Sequence, residues 1–148
     1  MARLAISTAL PISADESLTG LTEAARLASL RAASVFSIKS SKNGGPLRAQ
    51  CIATVARAFG IRCYMNSMLE FGITQAASLQ HAVTIPNLFD AGHAYMSTLR
   101  LAEDPTDFAS LVSNGTVTLP SGPGLGVNVN EEHVRRLAIV SNRVSATH

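Results

Sequence analysis

Short apolar runs and longer helix-spaced runs alternate along the first half of the chain. Pro11 to Ala14 and Val35 to Ile38 are short, and the second is β-branched or aromatic apart from Ser37, which predicts buried strands. Between them Leu21, Ala24, Ala25, Leu27, Ala28 and Leu30 recur at helical spacing, with Thr22 and Glu23 on the other face and Ser17 or Thr19 as candidate caps. The pattern then repeats. Ala49, Ile52, Ala53, Ala56 and Phe59 stripe one face of a helix from Leu47 to Phe59, which Pro46 opens and Gly60 stops. Ile61 to Asn66 predicts a third strand, Phe71 to Val83 a third helix ended by Pro86, and Asn87 to Asp90 a weaker fourth strand.

Strands joined by helical crossovers imply a parallel α/β sheet, and ligands gather at the carboxyl ends of such strands. Asp15 and Lys39 then stand at equivalent strand ends and face one mouth. Beyond residue 100 the alternation is lost. Ala102 to Pro105 predicts a turn, Val112 to Leu119 a hairpin about Asn114-Gly115, and Glu131 to Ala138 a short helix after a Gly/Pro loop.

A chain of 148 residues, 47% of them apolar, can build one domain with a core. It is too short for a complete (β/α)8 barrel, which needs about 250 residues. The net charge is +2 and no Lys/Arg cluster stands out, which argues against nucleic acid as a partner. Cys51 and Cys63 lack metal-ligand spacing and read as buried free thiols of a reducing, cytoplasmic compartment. Met1 to Leu10 carries a single Arg, is interrupted by Ser and Thr, and offers no convincing cleavage site, so it does not read as a signal peptide. No stretch reaches the ~18 apolar residues of a membrane span.

Four motifs carry a resemblance. Pro-Ile-Ser-Ala-Asp-Glu-Ser at 11–17, Ile-Lys-Ser-Ser-Lys-Asn-Gly-Gly at 38–45, Asn-Ser-Met-Leu-Glu at 66–70 and Leu-Pro-Ser-Gly-Pro-Gly-Leu-Gly-Val at 119–127 occur in this order. In residues, order and spacing the chain resembles the mandelate racemase/muconate lactonizing enzyme family of the enolase superfamily, above all its muconate-lactonizing branch. The resemblance implies the C-terminal half of a (β/α)8 TIM barrel, strands five to eight, over residues 1–103. A hairpin and helix over 104–140 would return toward a capping domain absent from this chain, and 141–148 would be a frayed tail.

The chemistry so implied is removal of the α-proton of a small carboxylate substrate, with Mg2+ (or Mn2+) stabilising the enediolate. By the same resemblance Lys39 is the general acid/base and Asp15 the third of three metal ligands, supported by Glu16. Asn66, Ser67, Glu70 and Asp90 bind substrate, with Glu70 in a hydrogen-bond network with the base. The other two metal ligands and the opposite base lie on strands outside this chain. Racemisation or epimerisation, cycloisomerisation and dehydration share the first step. The segment Asp90 to Ser97 looks closest to members acting on amino-acid-like carboxylates such as cyclic imino acids.

Taken without the family, the same residues have plainer readings. Asp15 and Glu16 precede a helix and can be a cap and a first-turn charge; Lys39 can be a snorkelling lysine, where the resemblance implies a base whose pKa the metal and partial burial push down. Lys42 reads as a loop charge or a contact to a substrate carboxylate. Asn43-Gly44-Gly45 offers either backbone N–H groups to an anion or a turn needing positive φ. Gly122 to Gly126 lacks the dinucleotide spacing. His93 reads as a structural hydrogen-bonder and His81 as a partner of its helix's C-terminal dipole. The alternative to an enzyme is a catalytically silent half-barrel that forms a homo-oligomer or joins an N-terminal barrel half plus capping domain, since its sheet edges are open. A flavodoxin-like binding domain would leave the hairpin and Lys39 unexplained.

Overall fold

In the computed structural model, which describes residues 1–141, helix and strand alternate as the pattern requires. The order is α1 (Ala2–Ser7), β1 (Ser13–Ala14), α2 (Leu21–Ser29), β2 (Val35–Ile38), α3 (Pro46–Ala58), β3 (Arg62–Met65) and α4 (Gly72–Ala82). Two 3-10 turns, Ser97–Leu99 and Phe108–Leu111, lead to β4 (Val112–Ser113), β5 (Thr116–Val117) and α5 (Glu131–Leu137). Strands β1, β2 and β3 form one parallel sheet in that order, with Ala14 opposite Phe36 and Phe36 opposite Cys63. The tail expected over 141–148 lies, beyond Ser141, outside the described residues.

The two faces of the sheet differ because side chains alternate along a strand. Ala14, Phe36, Ile38, Cys63 and Met65 point toward the helices and are buried in the core. The helices meet them mostly with alanine: Ala24 and Ala28 from α2, Ala49, Ala53 and Ala56 from α3, Ala76 and Ala82 from α4. Bulk therefore comes from the strands. Phe36, Ile38 and Met65 are fully buried with Leu18, Ile52 and Phe108, each worth about 1.5–3 kcal/mol of burial. The opposite face presents Ser13, Val35, Ser37, Tyr64 and Asn66 to an open groove of about 480 Å³.

Several local expectations need correction. Neither Ser17 nor Thr19 caps α2, because the extended Gly20 holds the N-cap and its carbonyl accepts from Ala24 N–H at 3.0 Å. Phe59 leaves the buried stripe, being the C-cap of α3 and 55% exposed. Cys51 is an exposed thiol, whereas Cys63 is buried as expected. The fourth strand shrinks to a single parallel bridge between Cys63 and Leu88. Asn87 O and Phe89 N–H pair with the Cys63 backbone, but Ala91 N–H then bonds back to Phe89 O at 2.9 Å and turns the chain away.

The second half is fastened to α4. Gly72 N–H at the helix start donates to Asp104 Oδ2 at 2.7 Å, and the loop lies so close that a Cβ on Gly72 would stand 1.9 Å from Thr106 Oγ1. The hairpin turns at Asn114-Gly115 as read, both with positive φ (50° and 75°), the geometry of a type I′ turn.

Candidate active site

Each parallel strand delivers one polar residue just past its end: Asp15 after β1, Lys39 after β2, Asn66 after β3. The three meet. Lys39 Nζ lies 2.9 Å from Asp15 Oδ1 and 2.5 Å from Glu16 Oε1. Asn66 Nδ2 donates to Asp15 Oδ2 at 3.1 Å and to Ser37 Oγ at 3.0 Å, and Asn66 Oδ1 accepts from Ser67 N–H. A second ammonium arrives from the loop, since Lys42 Nζ donates to Asp15 O at 2.7 Å and approaches Oδ1 at 3.2 Å.

The loop after β2 is built to make this approach. Gly44 and Gly45 take φ of 83° and 95°, which supports the turn reading of Asn43-Gly44-Gly45. Buried Asn43 ties the turn down: its Oδ1 accepts Lys39 N–H at 3.0 Å and its Nδ2 donates to Leu18 O at 2.8 Å. Lys39 is 4% exposed, so its ammonium depends on these partners. Burial pushes its pKa down, but the hydrogen bonds to Glu16 and Asp15 outweigh burial and hold it above the ordinary lysine range. For Asp15, burial pushes up and the Lys39 and Lys42 hydrogen bonds win, leaving the carboxyl below its usual range.

Glu70 occupies a separate network. Its carboxylate accepts from Ser67 Oγ (2.5 Å), Ser41 Oγ (2.8 Å) and Gln75 Nε2 (3.2 Å). Burial raises its pKa, yet the Ser67 and Ser41 hydroxyls and the Glu70 and Met68 N–H groups together lower it. Leu69, at φ 65°, takes the left-handed turn just before it. Glu70 therefore braces the β2 and β3 loops against each other, and its recorded partners do not include Lys39. Asp90 is exposed and, among the described residues, makes no hydrogen bond or ion pair; its neighbours Phe89 and Ala91 line the groove instead. His93 is structural, accepting Met65 N–H through Nδ1 at 3.2 Å, which leaves the proton on Nε2. His81 is buried against Gln50 Oε1 at 2.9 Å, and burial lowers its pKa.

Asp15 and Glu16 are hard oxygen donors of the kind Mg2+ or Mn2+ takes, so they fit such an ion in chemistry. They are too few to complete a shell. Among the described residues no group of three or more His, Cys, Asp or Glu side chains is placed to hold a metal ion. Sequence reasoning missed Lys42 as a partner of Asp15 and Asn43 as the strut beneath Lys39. The Lys-Asn-Gly-Gly run was the available signal, since two glycines at positive φ reverse the chain and carry the preceding side chains back over β1.

Comparison with known proteins identifies the family. Residues 1–133 match the family described as Enolase C-terminal domain-like. The chain belongs to this family, the mandelate racemase/muconate lactonizing group of the enolase superfamily, on its muconate-lactonizing side. It is 34% identical over 129 residues to a chloromuconate cycloisomerase of Cupriavidus pinatubonensis, covering 87% of this chain and 34% of that protein. It is 31% identical over 146 residues to an N-succinylamino acid racemase of Thermus thermophilus, covering 99% of this chain and 39% of that one. Muconate lactonizing enzyme from Pseudomonas putida superposes with a TM-score of 0.82 at 35% identity over 91% of this chain and 37% of its own. An N-succinyl Arg/Lys racemase from Bacillus cereus gives 0.85 at 27% identity over 94% and 37%. The chain thus spans little more than a third of the length of these relatives. No helix of the described residues is long and apolar enough to cross a membrane.

Proposed function

We propose that this chain is the C-terminal half of a (β/α)8 barrel, strands five to eight over residues 1–103 with the returning hairpin and helix over 104–140, and that it serves α-proton transfer on a small carboxylate. The observation that carries the reading is the Lys39–Asp15 pair, 2.9 Å apart at the carboxyl ends of neighbouring parallel strands. Lys39 holds a proton at Nζ and is the group that gives it to, or takes it from, the carbon next to the substrate carboxylate. Asn66 lines the open groove and, with Ser67 held on its Oδ1, orients the substrate; Glu70 acts through the loops it braces, and Asp90 beside the groove would reach only a longer substrate. Asp15, supported by Glu16, would hold Mg2+ or Mn2+ together with oxygen donors from outside this chain, and such an ion supplies stabilisation of negative charge developing on the substrate carboxylate. Relatives named as a chloromuconate cycloisomerase and an N-succinylamino acid racemase support muconates and amino-acid-like carboxylates as substrate classes.

The test is exchange in D2O. N-succinyl amino acids of both hands and muconolactone are incubated with the chain and Mg2+, and loss of the α-proton signal is followed by NMR. Exchange on one face that Lys39→Ala abolishes supports the reading. Absent exchange favours a second reading, a catalytically silent half-barrel that associates with itself or with another chain. The incomplete donor set favours that second reading.

A further inference from the structure

Asp15 and Leu18 close a tight turn after β1, with Leu18 N–H donating to Asp15 O at 2.8 Å. Both carbonyls at the ends of that turn are taken by consecutive residues of the facing loop. Lys42 Nζ donates to Asp15 O at 2.7 Å, and Asn43 Nδ2 donates to Leu18 O at 2.8 Å. Lys42 crosses 27 positions of sequence to do this, and its side chain is only 14% exposed. An exposed loop lysine keeps its entropy and its water; this one has given up both for a fixed contact. Its ammonium also lies 3.2 Å from Asp15 Oδ1, the oxygen that Lys39 shares, so Oδ2 is left to Asn66 alone.

We propose that Lys42 is a positioning residue: with Asn43 it clamps the Asp15–Leu18 turn, and with Asn66 on the other oxygen it fixes the rotation of the Asp15 carboxylate that faces Lys39. The division of labour follows from the atoms. Asn43 is buried and bonds only backbone, so it fixes where the loops sit. Lys42 bonds backbone and carboxylate together, so it ties the rotation of Asp15 to the turn, with Asn66 holding the other oxygen. This inference rests on Asp15 and Lys39 being the working pair, but its test reads geometry and not turnover.

The experiment compares Lys42→Met, Lys42→Arg and Asn43→Ala in the 148-residue chain. NMR reads amide exchange at Leu18 and the carboxylate carbon signal of Asp15, beside thermal unfolding. Lys42→Met should speed Leu18 exchange about fivefold, the worth of one hydrogen bond, and displace the Asp15 signal while the unfolding midpoint holds. Lys42→Arg should restore both signals, and Asn43→Ala should lower the midpoint. Should Lys42→Met fail to fold, Lys42→Gln replaces it and the same two signals decide. An unmoved Asp15 signal, or a stability loss that Lys42→Arg does not rescue, overturns the proposal. An intact clamp on a chain without α-proton exchange would count against the proposed function alone.

Discussion

Lys39 and Asp15 share a 2.9 Å ion pair although 24 positions apart in sequence and on different strands, because β1 and β2 run parallel and in register, Ala14 beside Phe36. One strand end supplies the acid and the next supplies the amine. Everything around the pair either shields it from water or limits how it can move.

Removing the acid should therefore be felt by the amine. In Asp15→Asn, Lys39 retains Glu16 as its carboxylate partner, while burial continues to oppose its charge. Its pKa falls, and competitive acetylation at mildly alkaline pH should label Lys39 faster in the variant than in the parent. Equal labelling would mean that Glu16 alone holds the ammonium.

Acid should loosen the loops through Glu70. Its folded pKa lies below the ordinary 4.5, so its contribution to stability is complete above that value and is lost as pH falls through the folded pKa. Glu70→Gln should lower stability at neutral pH and flatten the acid limb of a plot of Tm against pH. A variant curve parallel to the parent's below pH 4.5 would show that the Ser41 and Ser67 bonds do not depend on its charge.

Gly72→Ala tests the docking of the second half. The new methyl would stand 1.9 Å from Thr106 Oγ1 and 2.6 Å from Phe108 Cβ, so the 104–108 segment must move. A loss of about 1–3 kcal/mol in urea unfolding is expected, with faster proteolysis near residue 104. An unchanged midpoint would mean that this segment contributes nothing to stability.

The two thiols should separate kinetically. Cys51 is exposed, whereas burial pushes the Cys63 thiol up to about 11, partly offset by the Asn87 side chain. A disulfide exchange reagent should take one thiol per chain quickly and the second only in denaturant. Fast reaction of both would show that the sheet opens at β3.

The βα order was legible because the strands are short runs rich in apolar residues and the helices carry an alanine stripe, two patterns that do not imitate each other. Asp15, Lys39 and Asn66 were legible for the same reason, each being the first polar residue after such a run. Glu70's partners were not, since they depend on Leu69 adopting positive φ, which no pattern of Met-Leu-Glu announces. Lys42 was hidden by its place in a polar loop, where side-chain direction is decided by two glycine torsions. The fourth strand was overcalled because Leu88 and Phe89 supply apolar residues for a strand that finds only one bonding partner.

The alanine faces of α2, α3 and α4 also act as a ruler. A methyl group is a short spacer that still packs, so α3 rests close against β2 and β3 and holds them at one setting. The carboxyl end of β2 is the tip of a lever whose fulcrum is that contact. Enlarging Ala53 by a carbon or two should shift β2 or β3 without touching any polar residue, and the spacing of amine and acid should change at the far end. The acid–amine geometry of such a scaffold can be retuned from the outside, through residues that never meet either group.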